Sequence, residues 1–301
     1  MLFADDTRGK HFSKDPAVVF FNSRYFLYYS LPPFPGSNCW GIGIASSSDL
    51  ETWTIEGEIK GTQACEAKGI CAPGAIVIAG VLHLFYQTYG NGAKDAICHA
   101  TSLDGIHFIK DASNPVYRPS QKWCCGRAID ADLCTLGDKV FLYFATRDFA
   151  FEKQMLGVAT AHIASDFSRD AWTHACAAPI LQPELDWEQK CIEAPATIVH
   201  EGKIYLFYGG AYNCSPQQIG CAVSQDGISF RRLSEQPFLK NGKEGTWNSS
   251  ESGHPYVFST PVGEDYLFFQ GSNDHGNTWY ISKARIVWNH QTPIIECEDE
   301  R

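Results

Sequence analysis

Five segments of this chain can be set beneath one another: SRYFLYYS, GVLHLFYQ, DKVFLYFA, GKIYLFYG and EDYLFFQG. Each is an aromatic-rich run behind turn residues, which reads as a strand. Their central leucines, Leu27, Leu84, Leu142, Leu206 and Leu267, are spaced by 57, 58, 64 and 61 residues. A second run follows each leucine and carries an alanine 16 to 18 residues on: Ala45, Ala100, Ala159, Ala222 and Ala284. A third run precedes each: DPAVVFF, APGAIVI, AIDADLCTL, EAPATIVH and GHPYVFS. Asp-Gly at 104–105 and 226–227 marks tight turns between strands. A unit of four short strands cannot bury both faces of its own sheet, so the units must stack on one another. The repeat predicts an all-β fold, a five-bladed β-propeller with four-stranded blades. The predicted blades are 15–60, 72–112, 128–176, 192–234 and 252–290, in one domain over 1–301.

In such a ring the first strand of each blade lines the central channel. Twelve residues before the repeat leucine stand Asp15, Ala72 and Asp130; thirteen before it stand Glu193 and His254. The extra residue reads as a bulge. Three carboxyls at one phase of a repeat repel one another, an arrangement that sets pKa values apart. Asp132 shares a strand face with Asp130, and repeat phase favours Asp130.

These motifs, in this order, resemble glycoside hydrolase family 43, within the wider group of five-bladed propeller glycosidases. KDPAVVFFNSRYFLYYS is similar to that family's opening Asp-Pro blade, and APGAIVIAGVLHLFY to its second-blade Ala-Pro. RAIDADLCTLGDKVFLYFA, CIEAPATIVHEGKIYLFY and ESGHPYVF are similar to the Ile-Asp, Glu-Ala/Gly-Pro and Gly-His blades that follow. The resemblance implies an inverting glycosidase with Asp15 as general base, Glu193 as general acid and Asp130 as the carboxylate that tunes the acid. Inversion requires a proton on the leaving oxygen and a water on the far face of the sugar, between carboxyls roughly 6.5–9.5 Å apart. Asp15 is then expected ionised, and Glu193 protonated with a raised pKa. The resemblance associates His254 with a channel cation, often calcium, through water, since imidazole suits a hard cation poorly. No other cofactor is expected. His254 is equally a candidate for sugar hydroxyls or for a hydrogen-bonded core position.

Sugar sites also use aromatic platforms. Phe34, Trp40, Trp123, Trp187 and Trp247 lie in loops or at approaches to the inner strands, with one or two expected to face sugar and the rest to pack on blades. Arg127, three residues before Asp130, is a candidate for substrate hydroxyls or for pairing with a structural carboxylate. The fructan and sucrose hydrolases are a rival group that retains configuration with the first-blade Asp as nucleophile. Their Asn-Asp-Pro-Asn-Gly, Arg-Asp-Pro and Glu-Cys motifs differ from Lys14-Asp15-Pro16-Ala17, Ile129-Asp130-Ala131 and Glu193-Ala194-Pro195. An algal-galactan-acting group and a carbohydrate-binding propeller without catalysis are further alternatives. The expected substrates are arabinose- or xylose-containing oligosaccharides, cut from the end.

A formal net charge of −10 with no basic cluster argues against nucleic acid or anionic membranes as partners. No apolar run is long enough to span a bilayer. MLFADDTRGK lacks the basic and apolar blocks of an export signal, so a cytoplasmic location is expected. The twelve cysteines lack zinc-ligand spacing and read as reduced, partly buried thiols. Oligomeric state is not legible.

Overall fold

The computed structural model describes residues 1–296. Twenty strands fall into five antiparallel sheets of four, each in sequence order. Blade one holds β1 (Lys14–Phe21), β2 (Arg24–Leu31), β3 (Gly41–Ser47) and β4 (Thr54–Ile59). Blade two holds β5 (Ile70–Ile78), β6 (Val81–Thr88), β7 (Ile97–Ser102) and β8 (Ile109–Lys110). Blade three holds β9 (Ile129–Leu136), β10 (Lys139–Arg147), β11 (Gln154–His162) and β12 (Thr173–His174). Blade four holds β13 (Ile192–His200), β14 (Lys203–Gly210), β15 (Gln218–Ser224) and β16 (Arg231–Arg232). Blade five holds β17 (Glu251–Ser259), β18 (Asp265–Ser272), β19 (Tyr280–Asn289) and β20 (Thr292–Ile295). Its last strand lies beyond position 290, where the sequence boundary was drawn, because TPII with its proline reads weakly as a strand. The described helices are short 3-10 turns, and none is long and apolar enough to cross a membrane.

The repeat leucines occupy the second strands. Leu27, Leu84, Leu142, Leu206 and Leu267 have no exposed surface, because a strand between two neighbouring blades is covered on both faces. Outer strands β8, β12 and β16 have two residues each, which leaves little unpaired edge. Adjacent blades are also pinned side chain to turn. Tyr28 on β2 donates to the carbonyl of Gly105 in the next blade at 2.9 Å, and Tyr143 on β10 does the same to Gly227 at 2.9 Å. These glycines stand at φ +83° and +76°. A Cβ on either would lie 2.6 Å from Phe26 or Phe141, so the Asp-Gly turns serve docking as well as chain reversal.

The inner strands β1, β5, β9, β13 and β17 pack successively around a closed ring, with β17 against β1. Residues 1–13 seal the join between blades one and five. Phe3 exchanges two 2.8 Å backbone hydrogen bonds with Ile281 on β19. Asp5 is fully buried and accepts from the Tyr29 hydroxyl on β2 at 2.7 Å.

Candidate active site

Every inner strand begins with the same irregularity. Pairing with the second strand slips between Lys14 and Ala17, Cys71 and Gly74, Ile129 and Asp132, Glu193 and Ala196, and Gly253 and Tyr256. One residue in each slip has a left-handed backbone: Asp15 at φ +53°, Ala72 at +46°, Asp130 at +54°, Ala194 at +51° and His254 at +44°. A left-handed non-glycine residue costs about 1–3 kcal/mol, and such strain collects at functional sites. Here the preceding blade stabilises it. The Asp15 N–H donates to Gln270 Oε1 at 3.0 Å, Ala72 to Ser30 Oγ at 2.8 Å, and Asp130 to Gln87 Oε1 at 2.8 Å. His254 donates to Gln217 Oε1 at 2.9 Å and Ala194 to Asp130 Oδ2 at 3.3 Å.

This alignment corrects the repeat phase read from the sequence. Asp15, Asp130 and His254 are structural equivalents, and the fourth member is Ala194, not Glu193. Glu193 stands one residue earlier, level with Lys14, Cys71, Ile129 and Gly253. His254 falls thirteen residues before its leucine because the β17–β18 hairpin is one residue longer, whereas the slip itself is common to all five blades.

The ionisable groups act on one another at this end of the ring. His254 Nδ1 lies 3.4 Å from Asp15 Oδ1. Burial would raise Asp15, but His254, Lys14 and the Ser30 hydroxyl outweigh it and hold the carboxyl below its usual range. Burial lowers His254 despite Asp15, so near neutral pH the imidazole is uncharged. The permanent cation beside Asp15, second to His254 in holding it ionised, is Lys14. Burial opposes its charge, but Asp15, Glu251 and Glu193 raise its pKa above the ordinary value. The Lys14 ammonium stands 4.5 Å from the centre of the Trp279 ring. Asp130 moves the other way: burial, then the charges of Glu193 and Asp15, push it well up, against Arg127 and the Ala194 N–H. Glu251, with no exposed surface, is pushed up to about 7, chiefly by burial.

Two amides hold Glu193. Gln217 Nε2 donates to Oε1 at 2.7 Å, and Gln154 Nε2 donates to Oε2. Neither amide is free to turn over. Gln154 Oε1 accepts from Arg147 at 2.9 Å and Arg127 at 3.2 Å, while Gln217 Oε1 accepts from the His254 N–H.

The other candidates divide. Arg127 lies 3.9 Å from the buried carboxylate of Asp95 as well as bonding Gln154, so it belongs to the framework around Asp130. Trp40 sits at the seam of blades one and two, 5.8 Å from Phe12 and 5.2 Å from Tyr89, ring centre to ring centre. Burial, then the charges of Cys71 and Asp15 against Lys14, push the Tyr89 hydroxyl up. Trp123, Trp187 and Trp247 pack on their blades, with indole atoms within 3.1 Å of where a Cβ would stand on Gly157, Gly210 and Gly271. Phe34 is 46% exposed, with the Arg8 guanidinium 3.6 Å above its ring. Asp132 is buried and accepts from the Thr197 N–H at 2.8 Å and from its hydroxyl, tying β9 to β13. Among the described residues no three His, Cys, Asp or Glu side chains are grouped to hold a metal ion. The pairing of His254 with one carboxylate beside a lysine ammonium does not fit the oxygen-rich shell that calcium takes.

Lys14, Glu251, Gln154, Gln217 and Tyr89 were not singled out from the sequence. The clamps Ser30, Gln87 and Gln270 were within reach, since each follows its repeat leucine by three residues. Gln217 lies just before β15 and Gln154 at the start of β11, where no repeat phase marks them.

A curated sucrose-6-phosphate hydrolase from Zymomonas mobilis is 36% identical over 109 residues, covering 32% of this chain and 21% of that protein. The match thus spans about a fifth of that relative's length. Three solved structures share the fold. A thermostable family-43 glycoside hydrolase gives a TM-score of 0.74 at 21% identity, over 95% of this chain and 93% of that one. An endo-1,4-beta-xylanase from Bacteroides thetaiotaomicron gives 0.73 at 22%, over 95% and 94%. An alpha-L-arabinofuranosidase from Lactobacillus brevis gives 0.71 at 16%, over 93% of each. At these identities the likeness is one of fold. The model of the glycosyl hydrolases family 43 matches residues 9–293, and the chain belongs to that family.

Proposed function

We propose that the protein is an inverting glycoside hydrolase acting from the end of arabinose- or xylose-containing oligosaccharides, as an α-L-arabinofuranosidase or β-xylosidase. Asp15 is the general base, Glu193 the general acid and Asp130 the carboxylate that governs the acid's proton. The observation that carries the reading is the opposite treatment of two equivalent residues. Asp15 is held ionised, while Asp130, at the same position two blades away, is pushed up by burial and by Glu193 and Asp15. An ionised carboxylate suits the activation of water, and a proton retained beside Glu193 suits donation to a leaving oxygen. Trp40, with Tyr89 beside it, is the aromatic platform proposed for the sugar. The substrate rests on the family and on the xylanase and arabinofuranosidase among fold neighbours.

Hydrolysis of aryl glycosides and short arabino-, xylo- and galacto-oligosaccharides, with product anomers followed by NMR, tests this. Expected is turnover with inversion, lost in both Asp15→Asn and Glu193→Gln. The match to a sucrose-6-phosphate hydrolase favours a second reading, a fructosidase-like enzyme with Asp15 as nucleophile. Retention of configuration with sucrose-type substrates would establish it instead. Binding without turnover on any sugar would make the protein a carbohydrate-binding propeller.

A further inference from the structure

Cys65 lies in a one-turn 3-10 helix, Ala64–Glu66, just before β5, and Cys98 lies on β7 of the same blade. Their sulfurs are 4.0 Å apart across 33 residues of chain. A bonded pair stands at about 2.05 Å, so the two sulfurs must close by about 2 Å for a bond to form. The turn that carries Cys65 is held in place by its neighbour. Glu66, 1% exposed, accepts from the N–H groups of Thr62 and Gln63, from Tyr86 and from Lys110. Cys98 is fully buried, while Cys65 is half-buried and lines a cavity of about 650 Å³ that also presents Lys68, Lys94 and Arg118.

We propose that Cys65 and Cys98 form a disulfide by exchange with a small anionic disulfide, such as glutathione disulfide, received in this basic cavity. The Cys65 thiolate attacks one sulfur of the glutathione disulfide and expels one glutathione thiolate, leaving a mixed disulfide on Cys65. Cys98 then gives up its proton and attacks the Cys65 sulfur, expelling the second glutathione thiolate. Two electrons pass from the protein thiols to the reagent, and the two thiol protons end on two molecules of glutathione. Cys65 suits the attacking role. The Cys98 thiol beside it, assisted by Lys110, brings its pKa down to about 7 against burial and Glu66. Contact with Cys65 and then burial push Cys98 up, which fits the resolving thiol. The positive lining of the cavity selects for negative charge on the reagent.

The test treats the reduced protein with glutathione disulfide at neutral pH, blocks free thiols with an alkylating agent and maps peptides by mass spectrometry. Expected is a cross-linked peptide pair carrying Cys65 and Cys98. Cys98→Ala should instead accumulate one glutathionyl group on Cys65, and Cys65→Ser should leave Cys98 free. Cystamine, a cationic disulfide, should react at Cys65 more slowly, by roughly fivefold or more. The proposal fails if Cys65 and Cys98 both remain alkylatable after the exposed thiols Cys39 and Cys214 have reacted. It also fails if wild-type Cys65 keeps its glutathionyl group, and the anionic selectivity fails if cystamine is as fast.

Discussion

Lys14 and Asp15 are consecutive in sequence yet hold a cation and an anion, each half-buried, beside each other, and each favours the other's charge. Removing the ammonium leaves only His254 and Ser30 to oppose the burial of Asp15. Lys14→Met should therefore raise the pKa of Asp15, the proposed base, so that the acid limb of the pH–rate profile moves to higher pH. A fall in kcat of about tenfold or more at neutral pH, with KM changing less, is expected; an unmoved acid limb would remove Lys14 from this role. At this scale the sequence was partly legible. Asp15 and Asp130, both twelve residues before their leucines, proved equivalent in backbone, and so did His254, thirteen before its own. Glu193 proved to stand one residue earlier on its strand, because counting from a leucine cannot separate a common bulge from a longer hairpin. Lys14 was hidden because a lysine before Asp-Pro looks like any solvated charge.

Each inner strand does two jobs at different heights along its length. Its first residues build the site, and its later residues tie blade to blade. Asp132 belongs to the second set: burial pushes it up to about 7 despite its two hydrogen bonds from Thr197. In the folded chain this carboxyl keeps a proton that the unfolded chain releases near pH 4, so stability falls as pH rises from about 4 through about 7. Glu251, also at about 7, adds to that slope. His83 acts oppositely. It is lowered to about 4 by burial and by His99, so its share of stability is present above about 6.5 and lost as pH falls through 4. Above pH 6.5 the carboxyls pull melting temperature down while Cys65, brought down to about 7, pulls it up, so the fall toward pH 8 is read in a Cys65→Ser background. Asp132→Asn should flatten this fall, recovering up to roughly 3–4 kcal/mol at the alkaline end. Parallel melting curves of variant and wild type from pH 6 to 8 would contradict it. The strands themselves were plain in the sequence, where aromatic and β-branched runs recur between Gly and Asp turns. The two-residue outer strands and TPII carry too few residues to show periodicity.

At the scale of the whole molecule, the ring is held by the segment least visible in the sequence. Residues 1–13 show no strand pattern, yet they pair with β19 and place Asp5 under Tyr29. Asp5→Ala would leave that buried hydroxyl without its acceptor, at a cost of about 1–3 kcal/mol. A lower melting temperature is expected, with hydrolysis lost on heating before the far-ultraviolet strand signal. Simultaneous loss of the two would mean that the join between first and last blades is no weaker than the others. The clamp on Asp15 has a related consequence during synthesis. Asp15 precedes its acceptor Gln270, on β18, by 255 residues. Its clamped backbone is therefore complete only once the chain through Gln270 has been made, and a nascent chain short of that point carries the residue without its geometry.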